Sequence, residues 1–294
     1  MRKKAINSSP EGHGDYGEWT KVIKAKRPWF NINIGEIWNY RDLVLLFVRR
    51  DFIAMYKQTI LGPLWFFIQP LLTTIIFTII FGRVAKLSTD GIPQFIFYLS
   101  GTVCWAYFAE CLTKTSNTFV ENANIFGKVN FPRLVLPISI CLSNIIKFMI
   151  QFSIFLAFMI YFDLRGAPID TGYAVFTLPL LVLQMGILGI ACGTIISSLT
   201  TKYHDMTVLV SFGAQLWMYA TPVVYPLSQV PEQYRGLYSL NPMVAVVESF
   251  RMAFLGTSAI NASHIISGVT VTLILFVAGL VLFSRVEKTF LDTV

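Results

Sequence analysis

Charge is what this chain lacks most. Only 13% of its 294 residues are Asp, Glu, Lys or Arg, against about 25% in an ordinary soluble domain. With 55% hydrophobic residues and a mean hydropathy of +0.63, that scarcity excludes a water-soluble globular fold. Histidine is nearly absent too: His13, His204 and His264 share no spacing of the kind that holds a metal. The four cysteines, Cys104, Cys111, Cys141 and Cys192, lie inside apolar runs and form no CxxC pair, so no disulfide framework fits them. They read as small buried hydrophobes. A phosphate-binding loop is also missing. The nearest approach, Gly12 to Gly17, is followed by Glu18 and Trp19 where Lys and Ser/Thr are required. The opening stretch "MRKKAINSSPEGHGDYGEW" has no apolar core and is no signal peptide; residues 1–33 read as a disordered tail.

What the chain has instead is length of apolar run. Six stretches approach the roughly 20 residues needed to cross a bilayer core: Gly62–Phe81, Pro93–Thr113, Ile138–Phe162, Ala174–Leu199, Met206–Val224 and His264–Phe283, the fifth interrupted by Gln215. Lipid offers backbone groups no partners, so each must be helical, and the short alternating segments of a membrane barrel are absent. The fold class is therefore all-α, a polytopic membrane protein with six transmembrane helices. Lys and Arg set its orientation. With the amino terminus inside, seventeen of the 23 fall on the cytoplasmic side and five, Arg83, Lys86, Arg165, Arg235 and Arg251, outside. Both termini then face the cytoplasm. The +7 net charge is a topology signal and does not point to nucleic acid.

The segment "YKQTILGPLWFFIQP" joins a charged region to the first apolar run. Upstream, residues 34–60 read as an amphipathic interface helix, with Ile34, Trp38, Leu45, Val48, Phe52 and Met55 at helical spacing. The run Leu43–Val48 is too short to span, and a basic amphipathic helix beside a first span lies in the headgroup plane. Gly62-Pro63 turns the chain inward, with Pro63 near a helix start where its missing N–H costs little. Pro70 is expected to kink the first span.

Intramembrane charge is sparse. Glu110 and Lys114 sit four apart, a favourable helical pair. Lys147, about ten residues into the third span, leans toward its helix amino terminus and can reach Glu110, so Glu110 and Lys147 are read as an intramembrane pair. Two loops carry the remaining pattern. Residues 121–137, "ENANIFGKVNFPRLVLP", suit a short helix presented to a soluble partner. Residues 225–256 are too apolar for a loose loop and too interrupted to span. They are expected to form two short amphipathic helices dipping into the outer leaflet. Asn241-Pro242 would cap the second, with Val244, Val247, Met252 and Phe254 as its apolar face and Glu248 and Arg251 three apart.

Four stretches, "YRDLVLLFVRRDFIAMYKQTILGPLWFFIQPLL", "NIFGKVNFPRLVLP", "TPVVYPLSQVPEQYRGLYSLNPM" and "VVESFRMAFLG", carry a resemblance. With the span pattern, the sequence resembles the permease subunit of type-2 ABC exporters for O antigens, capsules and teichoic acids, from Trp38 onward. The resemblance implies a domain of residues 61–294 with an interface helix before it, and no catalytic residue, metal or cofactor on this chain. ATP and Mg would belong to two copies of a separate ABC ATPase. The coupling loop would offer Glu121, Asn122, Lys128, Phe131 and Arg133 to that ATPase. The outer gate would use Glu232, Tyr234, Asn241, Pro242, Glu248 and Arg251. A homodimer would enclose a channel between its first, second and fifth spans, with Trp65, Phe66, Trp105, Tyr107, Phe108, Trp217 and Tyr219 as lining for a lipid-linked polysaccharide. The expected location is the bacterial inner membrane, among membrane lipids, with no nucleic-acid partner. Teichoic acid is an alternative cargo. A rival of another class is an integral membrane lipid-linked glycosyl or acyl transferase, which needs a convergent acid/base set that only Glu110 and Lys147 approach.

Overall fold

The apolar runs become helices that differ sharply in how much of each is covered by protein. The computed structural model describes residues 34–57, 61–126, 129, 131–171, 174–200, 205–257 and 260–293. In chain order the helices are α1 (Ile34–Asn39), α2 (Arg41–Lys57), α3 (Trp65–Phe77), α4 (Gln94–Ser116), α5 (Thr118–Glu121), α6 (Ala123–Phe126), α7 (Val135–Asp163), α8 (Ala174–Thr200), α9 (Met206–Tyr219), α10 (Glu232–Tyr238), α11 (Pro242–Leu255) and α12 (Ala262–Thr293). No strand occurs among the described residues. Among the described residues, five helical segments are long and apolar enough to cross a membrane: Trp65–Val84, Gln94–Ser116, Val135–Asp163, Phe176–Thr200 and Ala262–Ser284.

The fifth expected span differs. Met206–Val224 forms a helix only to Tyr219, 14 residues long, which at about 1.5 Å per residue is shorter than the roughly 30 Å hydrocarbon core. Pro222 gives the reason, since it disfavours helix at Thr221 before it. The chain then turns back into α11.

At the entrance, Gly62 takes φ 48°, a left-handed conformation that glycine adopts freely. A 3₁₀ turn Gly62–Leu64 leads directly into α3. Pro70 lies inside α3, where it removes one N–H from the ladder. The segment ends in a π-helical stretch, Thr78–Val84, in which Ala85 N–H bonds Ile80 O five residues back at 2.8 Å.

Helix α4 is the central post. Within its apolar window 78% is buried inside the protein, against 17% for α12. Close approach of α8 makes this possible: a Cβ on Gly189 would stand 2.6 Å from Cys111 Cβ, and one on Gly193 2.5 Å from Thr115 Cβ. Small residues at such crossings let helix backbones pack without a hydrophobic driving force. All four cysteines are buried and unbridged, Cys111 serving at this α4–α8 seam.

The two ends of α4 carry different structures. Past its carboxyl end, α2 packs over α7, with Val44 and Phe47 joining Phe119, Phe126, Phe131, Val135 and Phe283 in one apolar cluster. The buried face of α2 is thus Val44 and Phe47. Leu45 and Trp38, which were expected on the apolar stripe with Val48, point away and are exposed. The helix is apolar on two sides, one toward the protein and one free to meet lipid. At the amino end of α4 lies α11, which contradicts the expected surface-dipping helix. Nearly every side chain of α11 is buried, and Met252 is the exposed one.

Candidate functional site

A cleft with several polar side chains in an otherwise apolar wall opens between α3, α4, α7 and α9, with a volume of about 360 Å³. Its walls present Gln69 and Thr73 from α3, Thr102, Glu110 and Thr113 from α4, Lys147 and Gln151 from α7, and Ser211 and Gln215 from α9. Trp105 and Met218 supply apolar surface. Several of these polar residues recur four apart on one helix: Gln69 and Thr73, Lys147 and Gln151, Ser211 and Gln215. That spacing puts each pair on one helical face. The sequence reading missed all of them except Lys147, although polar residues four apart inside an apolar span were the signal available.

Lys147 donates to Glu110 across the cleft. Their side chains keep 13% and 27% of their surface exposed, so the pair sits in the wall rather than within the packing. The Lys147 ammonium also lies 5.5 Å from the Phe66 ring, close enough for a cation–π contribution. Lys114 does not pair with Glu110 as its spacing suggested. It bonds Asn144 Oδ1 at 3.3 Å instead, and Asn144 in turn donates toward Cys111 Sγ.

The seven aromatic lining candidates divide. Trp105 packs edge-on to Phe108 at 5.2 Å and to Trp217 at 6.3 Å; of these, Trp105 reaches the cleft and Phe108 is wholly buried behind it. Tyr107 lies on another face of α4, against Phe148 at 5.4 Å. There it borders an apolar groove between α7 and α8. Tyr107 and Phe108 are therefore corrected: Tyr107, two positions from Trp105, turns about 200° away from the cleft on a helix, and Phe108, three positions on, is covered by Trp105 and Trp217. Phe66 is buried, while Trp65 and Tyr219 are exposed.

At the α11 end, Arg251 is 1% exposed. A guanidinium has five N–H donors, and this one bonds Ser100 Oγ, Pro222 O, Val223 O, Phe97 O and Glu248 Oε1. Its plane sits 3.7 Å over the Phe97 ring. Glu248, one turn away, supplies the counter-charge at 3.1 Å. The pair is buried, and the full set of partners is why it is tolerated. Gly101 makes room, since a Cβ there would stand 2.8 Å from Val223 O and 3.0 Å from Arg251 Nη2. Asn241 caps α11 through Met243 N–H at 3.1 Å. It also accepts from Trp217 Nε1 and donates to Thr221 Oγ1 and Ala220 O. Pro242 occupies the first turn and Gly256, at φ 74°, ends the helix. Glu232 and Tyr234 on α10 are exposed, and Glu232 meets Arg235 only at 3.8 Å.

The coupling candidates point two ways. Asn122, Phe131 and Arg133 are buried, 8%, 6% and 5% exposed. Phe131 stacks on Phe126 at 5.7 Å, and the Arg133 guanidinium lies 5.1 Å from that ring. Phe131 and Arg133 thus pack with Phe126 as a platform, and Asn122 Nδ2 donates to Thr118 O at 3.1 Å. All three are interior side chains, which corrects the expectation that they are offered to a partner. Glu121 and Val129 are exposed; Lys128 lies outside the described residues. Although the Glu121 surface is open to solvent, desolvation by the surrounding protein raises its carboxyl above the ordinary range, with Lys114 opposing and Asp51 adding to the rise.

Comparison with known proteins decides the family. The model of the ABC-2 type transporter family matches residues 42–255. The chain belongs to the ABC-2 type transporter family. This ABC-2 chain is 26% identical over 261 residues to the O-antigen export system permease protein RfbA of Klebsiella pneumoniae, covering 88% of this chain and 96% of the relative. It is 27% identical over 263 residues to the RfbA permease of Myxococcus xanthus, covering 89% and 98%. With the polysialic acid transport protein KpsM of Escherichia coli it shares 24% identity over 255 residues, covering 83% and 93%. The family match spans α2 to the end of α11 and so takes in the cleft, the platform and the Arg251 cluster. The spans and these bacterial relatives make it a multi-pass inner-membrane protein.

Proposed function

We propose that this chain is the channel-forming permease of an ATP-driven exporter that moves an undecaprenyl-diphosphate-linked polysaccharide, of O-antigen or capsule type, across the inner membrane. Two copies would pair, with both termini cytoplasmic, and two ATPase subunits would bind ATP and Mg on the cytoplasmic side. The observation that carries this reading is the cleft walled by α3, α4, α7 and α9 and the polar groups set in its wall. Hydroxyls and carboxamides offer a glycan exchangeable hydrogen bonds along a path without fixing any one sugar, and Trp105 offers a face to a pyranose ring. Glu110 and Lys147 cancel each other, so the wall holds a chain without trapping charge. The names of the relatives favour the same cargo class.

In this account, α2 and the platform of Phe119, Phe126, Phe131 and Val135 receive the ATPase stroke at one end of α4. Arg251 ties the re-entrant α11, the outer gate, to its other end. The membrane transferase reading is disfavoured because its acid/base pair, Glu110 and Lys147, is mutually neutralised, so neither group is poised as a free general base or acid. Teichoic acid remains the nearest alternative cargo. The test is copurification with the ATPase, reconstitution in vesicles and analysis of lipid-linked glycan moved inward on ATP addition. ATP-dependent movement of lipid-linked polysaccharide is expected; glycan transfer or hydrolysis without an ATPase would overturn the reading.

A further inference from the structure

A second cavity, of about 380 Å³, lies where α10 faces the segment before it. This is within the range of small-molecule sites. Its lining combines Tyr225, Tyr234 and Tyr238 with Gln229 and the apolar surfaces of Leu87 and Leu237. The hydroxyls can be accounted for proton by proton. Tyr225 donates to Tyr219 O at 3.0 Å, so in its 2.9 Å contact with Tyr238 it must accept, a phenol having one proton to give. Tyr238 has then spent its proton and keeps an oxygen that can accept. Tyr234, 52% exposed, brings a phenol that can both give and take, and Gln229 a carboxamide that can do both.

None of the lining side chains is charged. Of the charged residues around it, Arg235 donates to Val230 O at 3.1 Å and Ser228 O at 3.2 Å, and Asp90 accepts from Ser228 Oγ at 2.9 Å; Lys86 and Glu232, of opposite sign, adjoin the lining residues Leu87 and Pro231 in sequence and are exposed. Three aromatic side chains with hydroxyls and no charge within the lining match a ring that has a C–H face and equatorial hydroxyls. A hydrocarbon tail fits poorly, because it would strip water from the phenols and the carboxamide without replacing their hydrogen bonds.

We infer that the Tyr225–Tyr234–Tyr238 pocket is a docking subsite for a neutral pyranose, and that it discriminates against acidic sugars. Joined to the transport reading above, on which its physiological role rests, it would be the last sugar contact at the outer mouth.

The experiment uses full-length permease in lipid nanodiscs free of sugar-headed detergent, probed by saturation-transfer NMR with maltohexaose and with an α2,8-linked sialic acid hexamer. Maltohexaose should receive saturation and the acidic hexamer little. Tyr234→Ala should weaken the maltohexaose response by roughly three- to tenfold, the scale of one lost aromatic contact. Tyr234→Phe, which keeps the ring, should retain most of it. Tyr234 is half exposed, so its loss leaves the fold intact, and thermal unfolding of each variant verifies this. No response to maltohexaose, an equal response in Tyr234→Ala, a stronger response to the acidic hexamer, or lipid acyl protons as the pocket's saturated partner would each overturn the inference. Export in vesicles with the ATPase is scored separately. Wild-type export without pocket binding rejects the subsite alone, whereas pocket binding without any export supports the subsite and counts against the transport reading.

Discussion

Two regions bring charge into the apolar interior, and they do so differently. Around Arg251 every donor has a partner, and the counter-ion Glu248 is 2% exposed. Around Lys147 one carboxylate is met and a cavity of about 360 Å³ lies in front. A charge saturated on all sides fixes a shape: it sews α11, the 221–224 turn and α4 into one unit. A charge neutralised once and left facing open space lines a working surface. Substitutions should therefore separate the two regions, with stability lost at the first and transport lost at the second.

The largest effect should come from Arg251→Met. It leaves Pro222 O and Val223 O without this donor and removes the counter-charge of Glu248, and breaking a buried pair from one side costs roughly 3–5 kcal/mol. Unfolding in nanodiscs should register this loss. Arg251→Lys should rescue little, since an ammonium has three donors and no planar fork. Full stability in Arg251→Met would dissolve the distinction between the regions.

Glu110→Gln and Lys147→Met should each cost on the order of 1 kcal/mol, in line with modest polar interactions inside membranes. The double variant should recover part of the loss. Strictly additive losses would show that the two residues do not depend on each other. Export should fall further than stability in each single variant, because an uncompensated charge then stands in the cleft.

Asn241→Ala should cost about 1 kcal/mol of helix stability, and Pro242→Gly should loosen the turn further. The pair should still assemble with the ATPase, since the platform lies at the other end of α4. Its resting channel should leak small solutes without ATP; wild-type tightness in the folded double variant would move the barrier elsewhere.

The smallest effect concerns Glu121. A carboxyl raised in the folded state favours folding while protonated, and that contribution is lost as pH climbs from the ordinary carboxylate range through the raised value. Stability should decline over that mildly acidic window. Glu121→Gln should flatten the slope by a few tenths of a kcal/mol, as expected for an exposed group. An unchanged slope would assign the pH dependence to another residue.

Local chemistry was legible in the sequence; long-range packing was not. The third expected span, Ile138–Phe162, lies within the helix Val135–Asp163, because hydrophobic runs set helix extent directly. The Asn241-Pro242 start of α11 was readable for the same reason: cap and first-turn proline are adjacent in sequence. The burial of Arg251 was hidden because its partners Phe97 and Ser100 are about 150 residues away. The inward face of α2 was hidden because the helix is apolar on two sides, and periodicity cannot say which one meets protein. Phe131 and Arg133 looked like loop surface until α2 and Phe126 closed over them.

The central claim is that the cleft faces the transported chain and the Arg251 region does not. Gln215→Cys and Ser211→Cys, in a permease whose native cysteines other than Cys104 are replaced, would be exposed to a charged, membrane-impermeant thiol reagent during ATP-driven export. Cys104, buried beside the Arg251 cluster, serves as the internal reference, and Ile145→Cys reports the apolar groove. The account predicts that the two cleft thiols react during turnover and are protected when lipid-linked glycan is stalled in transit, while Cys104 and the groove thiol stay unmodified. Glycan protection of the groove thiol, with the cleft thiols inert throughout, would place the path on the other side of α4 and contradict the account.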